Sequence, residues 1–128
     1  MKTILVDAVN TFVIQNHGIF KEMHDLLEKY PNKKIILTNA NDEQIKIFGL
    51  DKMPYEVFTL KHNPEKADPK YFETMLNKYK FSAKDVVYFE HNKEAIESAV
   101  SVGINSFHYS SEKKDLLELK KFLDQSLA

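Results

Sequence analysis

The sequence predicts an α/β fold, a parallel sheet of five strands with helices on both faces. Three observations predict it. Short apolar runs rich in β-formers alternate with amphipathic runs of helical period along the 128 residues. The apolar runs are continuous rather than alternating, as in strands buried on both faces. Single helices join them, which is the connection that parallel strands require.

Each element has its own warrant. Thr3 to Val6 reads as a buried first strand. From Ile19 to Tyr30, Ile19, Phe20, Met23, Leu26 and Leu27 recur at helical spacing, and Pro31-Asn32 stops the run. KIILT, Lys34 to Thr38, is the second strand. A short helix over Asp42 to Phe48 follows, with Asn41 as N-cap. EVFTL, Glu56 to Leu60, is a third and weaker strand. Asp68-Pro69 opens a helix whose apolar face is Phe72, Met75, Leu76 and Tyr79. Ser82 caps one turn, and DVVYF, Asp85 to Phe89, contains the fourth strand. A helix over Lys93 to Val102 is closed by Gly103. Ile104 to His108 is the fifth strand, and Ser110 or Ser111 caps a last helix to about Gln125.

Composition bounds the function. At this length the prior is one domain, residues 1–128. A content 43% hydrophobic and 12% aromatic is enough to fill a core. With no cysteine there is no disulfide, no thiol nucleophile and no thiolate metal site. A net charge of -1 gives no electrostatic case for nucleic acid or a membrane surface. Ile4 to Val6 is too short for a signal or membrane segment, so the cytoplasm is the default location. All 18 basic residues are lysine. Any bound anion is therefore held by lysine, hydroxyls, backbone N–H groups or a metal, without an arginine fork.

Ligands of parallel sheets sit at the carboxyl ends of the strands. There the sequence places Asp7, with Ala8, Val9, Asn10 and Thr11 behind it. Thr38-Asn39 follows strand two, Lys66 lies ahead of the third helix, and Glu90-His91-Asn92-Lys93-Glu94 follows strand four. Each is weak alone; an acid, a hydroxyl, a lysine and a second acidic loop in this order are more specific.

That order resembles the haloacid dehalogenase (HAD) superfamily, over nearly the whole chain. ILVDAVNT is similar to the family's first motif, a hydrophobic strand followed by Asp-x-Asp-x-Thr, with Asp7 and Thr11 in place. IILT supplies the second-motif hydroxyl, Thr38. Lys66-Ala67-Asp68-Pro69-Lys70-Tyr71-Phe72 matches Lys-Pro-Asp-Pro-x-x-Phe at four of five specified places. VVYFEHNKEAIESAVSVGI ends, like the fourth motif, with Ala99, Gly103 and Ile104. The resemblance implies a three-layer Rossmann-like core and phosphoryl transfer through an aspartyl-phosphate on Asp7. In that reading Asp7, Thr38 and Lys66 are catalytic, and Thr11, Thr38, Asn39 and Lys66 hold the phosphate. It also implies Mg²⁺, bound by Asp7, the carbonyl of Val9, Glu90 and Glu94. Mg²⁺ takes oxygen ligands and would offset repulsion between carboxylate and phosphate.

Two departures stand out. The acid expected two residues after the nucleophile is Val9, which has no proton to give; general acid–base help is typically worth about 10²–10⁴-fold. In the fourth motif, counting back from Gly103 puts the usual aspartates on His91 and Ala95. Counting from the strand end gives Glu90 and Glu94, the pair taken here as ligands. The short intervals leave little room for a cap domain, so the site is expected to be open. Its substrate would be a phosphorylated small molecule or a phosphate exposed on a macromolecule, with a second copy of the chain as a possible cover. The alternative is an impaired HAD-fold protein that binds a phosphorylated ligand or a protein partner. A receiver-type domain is disfavoured, because Asp7 stands without an acidic partner after strand one. A dehalogenase is disfavoured by the lack of arginine.

Overall fold

The computed structural model describes residues 1–128. The chain runs β1 (Thr3–Asp7), a hairpin of β2 (Val13–Ile14) and β3 (Gly18–Ile19), then α1 (Lys21–Leu27) and β4 (Lys34–Thr38). It continues through α2 (Asp42–Ile47), β5 (Glu56–Thr59), α3 (Pro69–Tyr79), β6 (Val86–Glu90), α4 (Lys93–Ser101), β7 (Asn105–His108) and α5 (Leu116–Leu127). Single 3₁₀ turns precede β5 and β6. Five strands form one parallel sheet in the order β5-β4-β1-β6-β7. The expected fold is the observed one.

Side-chain alternation along β1 explains the layers. Ile4 and Val6 point into one apolar cluster with Ile36, Val87 and Phe89, against Met23 and Leu27 of α1 and Leu119 and Leu123 of α5. Leu5 points the other way, with Ile35, Leu37 and Tyr88, against Tyr71, Phe72 and Met75 of α3 and Ala99 of α4. Both faces are covered, so these strands are apolar throughout. Truncating a side chain such as Leu5 to Ala would cost about 2–5 kcal/mol.

Several local signals were legible. Asn41 caps α2 in a reciprocal box with Gln44. Asp68 caps α3 with Pro69 at its first position. Gly103 turns the chain into β7 at φ +92, which disfavours any L side chain. Three boundaries differ from expectation. The stretch from Val13 to Ile19 is a hairpin, so α1 starts only at Lys21, and it ends at Leu27 rather than Tyr30. The last helix starts at Leu116, because Asp115 accepts from the N–H groups of Leu117 and Glu118 and so takes the capping role expected of Ser110 or Ser111. β6 extends to Glu90. No helix is long and apolar enough to cross a membrane.

Candidate active site

Register puts the site together. Asp7 is the last residue of β1 and stands opposite Leu37; Val6 stands opposite Phe89, which sets Glu90 at the same rim. The chain order reverses at β1, between β4 and β6, and that is where the crevice of such sheets opens. A cavity of about 330 Å³ lies there. Its floor includes Asp7, Thr38, Lys66, Glu90 and His91, and one wall carries Gln44, Phe48 and His62.

Four side chains form a closed ionic group. Lys66 Nζ donates to Asp7 Oδ1 at 2.7 Å and to Glu90 Oε1 at 2.7 Å. Asp7 Oδ2 accepts from Thr11 Oγ1 at 2.6 Å and from His91 Nδ1 at 2.5 Å. His91 Nδ1 also lies 3.3 Å from Glu90 Oε2. The Tyr88 hydroxyl donates to Glu90 Oε1, and Asn92 N–H donates to Glu90 Oε2 at 3.1 Å. Asp7, Lys66 and Glu90 are buried, which makes their pairing obligatory.

The fold fixes each member locally. Asn10 takes φ +71, a conformation asparagine tolerates, and the turn brings Thr11 back onto Asp7. The Lys66 backbone N–H donates to Asn39 Oδ1 at 2.7 Å, and Ser98 Oγ of α4 holds the next carbonyl, Ala67 O, at 2.6 Å. The Tyr71 hydroxyl donates to the carbonyls of Thr38 and Phe58, tying the ends of β4 and β5 to α3. Thr38 Oγ1 accepts from Ala40 N–H, so its own O–H remains available to a ligand.

Electrostatics follow from burial and pairing. Burial pushes the Asp7 carboxyl up, but Lys66 and then His91 outweigh it and hold it well below the usual range. Burial pulls Lys66 down, yet Asp7 and Glu90 leave its ammonium above its ordinary value. Glu90 is raised, first by burial and then by Asp7. His91 is raised to about 10 by its bonds to Asp7 and Glu90, so the ring is an imidazolium at neutral pH.

No family model matches the chain, and no curated protein matches it. Solved structures do. A HAD family enzyme of Bacteroides thetaiotaomicron superposes with a TM-score of 0.72 at 11% identity, over 87% of this chain and 95% of that one. That structure is an Asp-to-Ala mutant in complex with magnesium and inorganic phosphate. A HAD-superfamily hydrolase of Ehrlichia chaffeensis gives 0.67 at 13% identity, over 100% of both chains. An uncharacterized protein of Corynebacterium glutamicum gives 0.68 at 17% identity, over 97% and 96%. The fold is that of the HAD superfamily.

On this HAD fold the expected residues divide into two groups. Asp7, Thr38, Asn39, Lys66 and Glu90 meet at the cavity, with Val9 at its edge. Thr11 does not line it; the hydroxyl is buried against Asp7 and orients that carboxylate rather than reaching a phosphate. Glu94 lines the cavity but does not join the carboxylate group. It is an exposed residue of the first turn of α4 and lies outside the set of ligand atoms within 4.8 Å of one another; that set is Asp7, Glu90 and His91. Each count places one residue beside Asp7, Glu90 from the strand end and His91 from Gly103. Tyr88 and the wall of Gln44 and His62 were missed. Tyr88 carried no signal beyond a strand aromatic, and His62 reaches Gln44 Oε1 only through tertiary folding.

The expected Mg²⁺ ligand set is therefore not assembled. Mg²⁺ takes oxygens in octahedral geometry. Here all four carboxylate oxygens of Asp7 and Glu90 already face protein donors, and the third member of the cluster is a ring nitrogen. A cation between Asp7 and Glu90 would first have to evict the His91 ring. The residues present do not fit Mg²⁺.

Proposed function

We propose that this chain is a one-domain, capless phosphohydrolase that acts on phosphate monoesters through Asp7. The observation that carries the reading is the Lys66 ammonium, 2.7 Å from Asp7 Oδ1 at the floor of an open cavity. It keeps the carboxylate ionised and supplies positive charge where a phosphoryl group would sit. The O–H of Thr38 and the side-chain NH₂ of Asn39, whose Oδ1 is taken by Lys66 N–H, are the neutral donors beside it. The likeness to HAD enzymes, one of them a complex with phosphate, supports the same class.

In the first step an Asp7 carboxylate oxygen bonds to phosphorus as the bond from phosphorus to the leaving oxygen breaks. The leaving group departs with that electron pair and takes a proton from solvent, because Val9 has none to offer. In the second step water attacks phosphorus, the bond from phosphorus to the Asp7 oxygen breaks, the carboxylate is restored and the water proton passes to solvent. Good leaving groups are accordingly favoured. The open cavity suits a phosphorylated small molecule or a phosphate exposed on a macromolecule, with a second copy of the chain as a cover.

A second reading is binding of a phosphorylated ligand without turnover. It is favoured by Val9 and by the engagement of both Asp7 oxygens. One experiment separates the two. Hydrolysis of p-nitrophenyl phosphate is measured at high enzyme concentration, in Mg²⁺ and in chelator, for the native chain and Asp7→Asn. Turnover that falls by about a thousandfold or more in the variant supports the hydrolase. No turnover, with phosphate still bound, supports the second reading.

A further inference from the structure

The place that a divalent cation would need, between the carboxylates of β1 and β6, is filled by a side chain of this protein. His91 Nδ1 is 2.5 Å from Asp7 Oδ2 and 3.3 Å from Glu90 Oε2. A carboxylate oxygen only accepts, so the nitrogen donates. The backbone of His91 is held at the same place. The His91 backbone N–H points at Asp7 Oδ2 at 3.3 Å, and the His91 carbonyl accepts from His108 Nε2 at 2.8 Å, which anchors the residue to β7. The side chain is 27% exposed, and that exposed part lines the cavity.

Counting charges gives the same answer. A lysine and a divalent cation against Asp7 and a metal-binding carboxylate would make a site ready for a dianion. Here the two carboxylates, Asp7 and Glu90, are matched by two protein cations, Lys66 and His91, each contacting both acids. Each acid thus already has two basic side chains against it. Adding a dication would bring uncompensated positive charge into a buried cluster and displace a donor from Asp7. We infer that this site binds its oxyanion without a divalent cation, the His91 ring standing in the cation's place. The oxyanion part rests on the phosphate reading given above; the cation part does not.

The test therefore has two arms. In the first, Mg²⁺ and Mn²⁺ are titrated alone into the full chain by calorimetry, with thermal melting in parallel. The native chain is expected to give no saturable heat and an unmoved midpoint. His91→Asp, which supplies an oxygen in place of the ring, is expected to bind the metal and to melt higher in its presence. Saturable binding to the native chain that is lost in Asp7→Asn overturns the inference, and loss in His91→Ala as well identifies the ring as a metal ligand. Should His91→Asp not fold without metal, recovery of its fold by Mg²⁺ is the same positive result; the native arm needs no variant.

In the second arm, inorganic phosphate is titrated with Mg²⁺ or with chelator. The native chain is expected to bind equally in both, whereas His91→Asp loses about tenfold or more in chelator. Tighter native binding with Mg²⁺ overturns the inference. Absence of phosphate binding under both conditions removes the phosphate reading, and the first arm still decides the cation question.

Discussion

His91 Nδ1 and Asp7 Oδ2 lie 2.5 Å apart, although 84 positions separate the two residues in the chain. The contact joins the loop after β6 to the end of β1 and gives the protein a pH dependence of known sign. His91 titrates at about 10 in the folded chain and near the ordinary histidine value of about 6.5 when unfolded. A raised value in a base means that the folded state holds the proton more tightly. The stabilisation is complete below about pH 6.5 and is lost as pH rises toward 10. Urea midpoints measured across that window should fall for the native chain and fall less steeply for His91→Asn. Parallel profiles would contradict the pairing.

Lys66→Met should be the most damaging single change in the site. It leaves the buried Asp7 and Glu90 with His91 as their one remaining basic partner, for which a loss of about 3–5 kcal/mol at neutral pH is expected. Glu90 already sits above its ordinary value and rises further without the lysine. A carboxyl with a raised folded value binds its proton more tightly when folded, so the deficit should shrink as pH falls. Chemical denaturation at pH 7 and pH 5 measures it; an equal deficit at both would argue against the arrangement.

Val9→Asp places a carboxyl at the edge of the cavity where the chain now has an apolar side chain. If only the proton donor is lacking, turnover of an alkyl phosphate should rise by about a hundredfold. Turnover of p-nitrophenyl phosphate, whose leaving group needs little help, should change far less. The ratio of the two rates is the readout, and an unchanged ratio would mean that proton donation is not what limits the chain.

Tyr88→Phe removes the hydroxyl that donates to Glu90 Oε1 inside the sheet. The ring stays packed against Phe72, so the change reports the hydrogen bond rather than the cavity. A loss of about 1–3 kcal/mol is expected, because Glu90 is left with one donor fewer. A neutral result in urea unfolding would show that Lys66 and Asn92 suffice.

The architecture was legible because both core layers are written as continuous apolar strands and amphipathic helices, and because Asn41, Asp68 and Gly103 mark their boundaries with ordinary capping chemistry. The hairpin at Val13–Ile19 was not, since strands of two residues carry no readable period and Ile19 also fits the helical stripe of α1. Asp7, Thr38 and Lys66 were legible as strand-end and pre-helix residues. The role of His91 was hidden by a one-residue ambiguity. Glu90 and Glu94 keep an acidic spacing that favours them as ligands, but Glu90, at the end of β6, meets Lys66, whereas Glu94 lines the cavity apart from the group of Asp7, Glu90 and His91. Only the fold decides which neighbour in such a loop faces Asp7.

The Tyr71 clamp on Thr38 and Phe58 divides the protein into a part that cannot change and a part that can. The ends of β4 and β5 are tied to the aromatic layer beneath them, which fixes the floor of the cavity at Thr38. The wall of Gln44, Phe48 and His62 hangs on a capped short helix and a loop with two left-handed residues, Lys61 and His62, outside that frame. The shape of the cavity could be rewritten by exchanging that wall alone, with the ionic floor inherited intact.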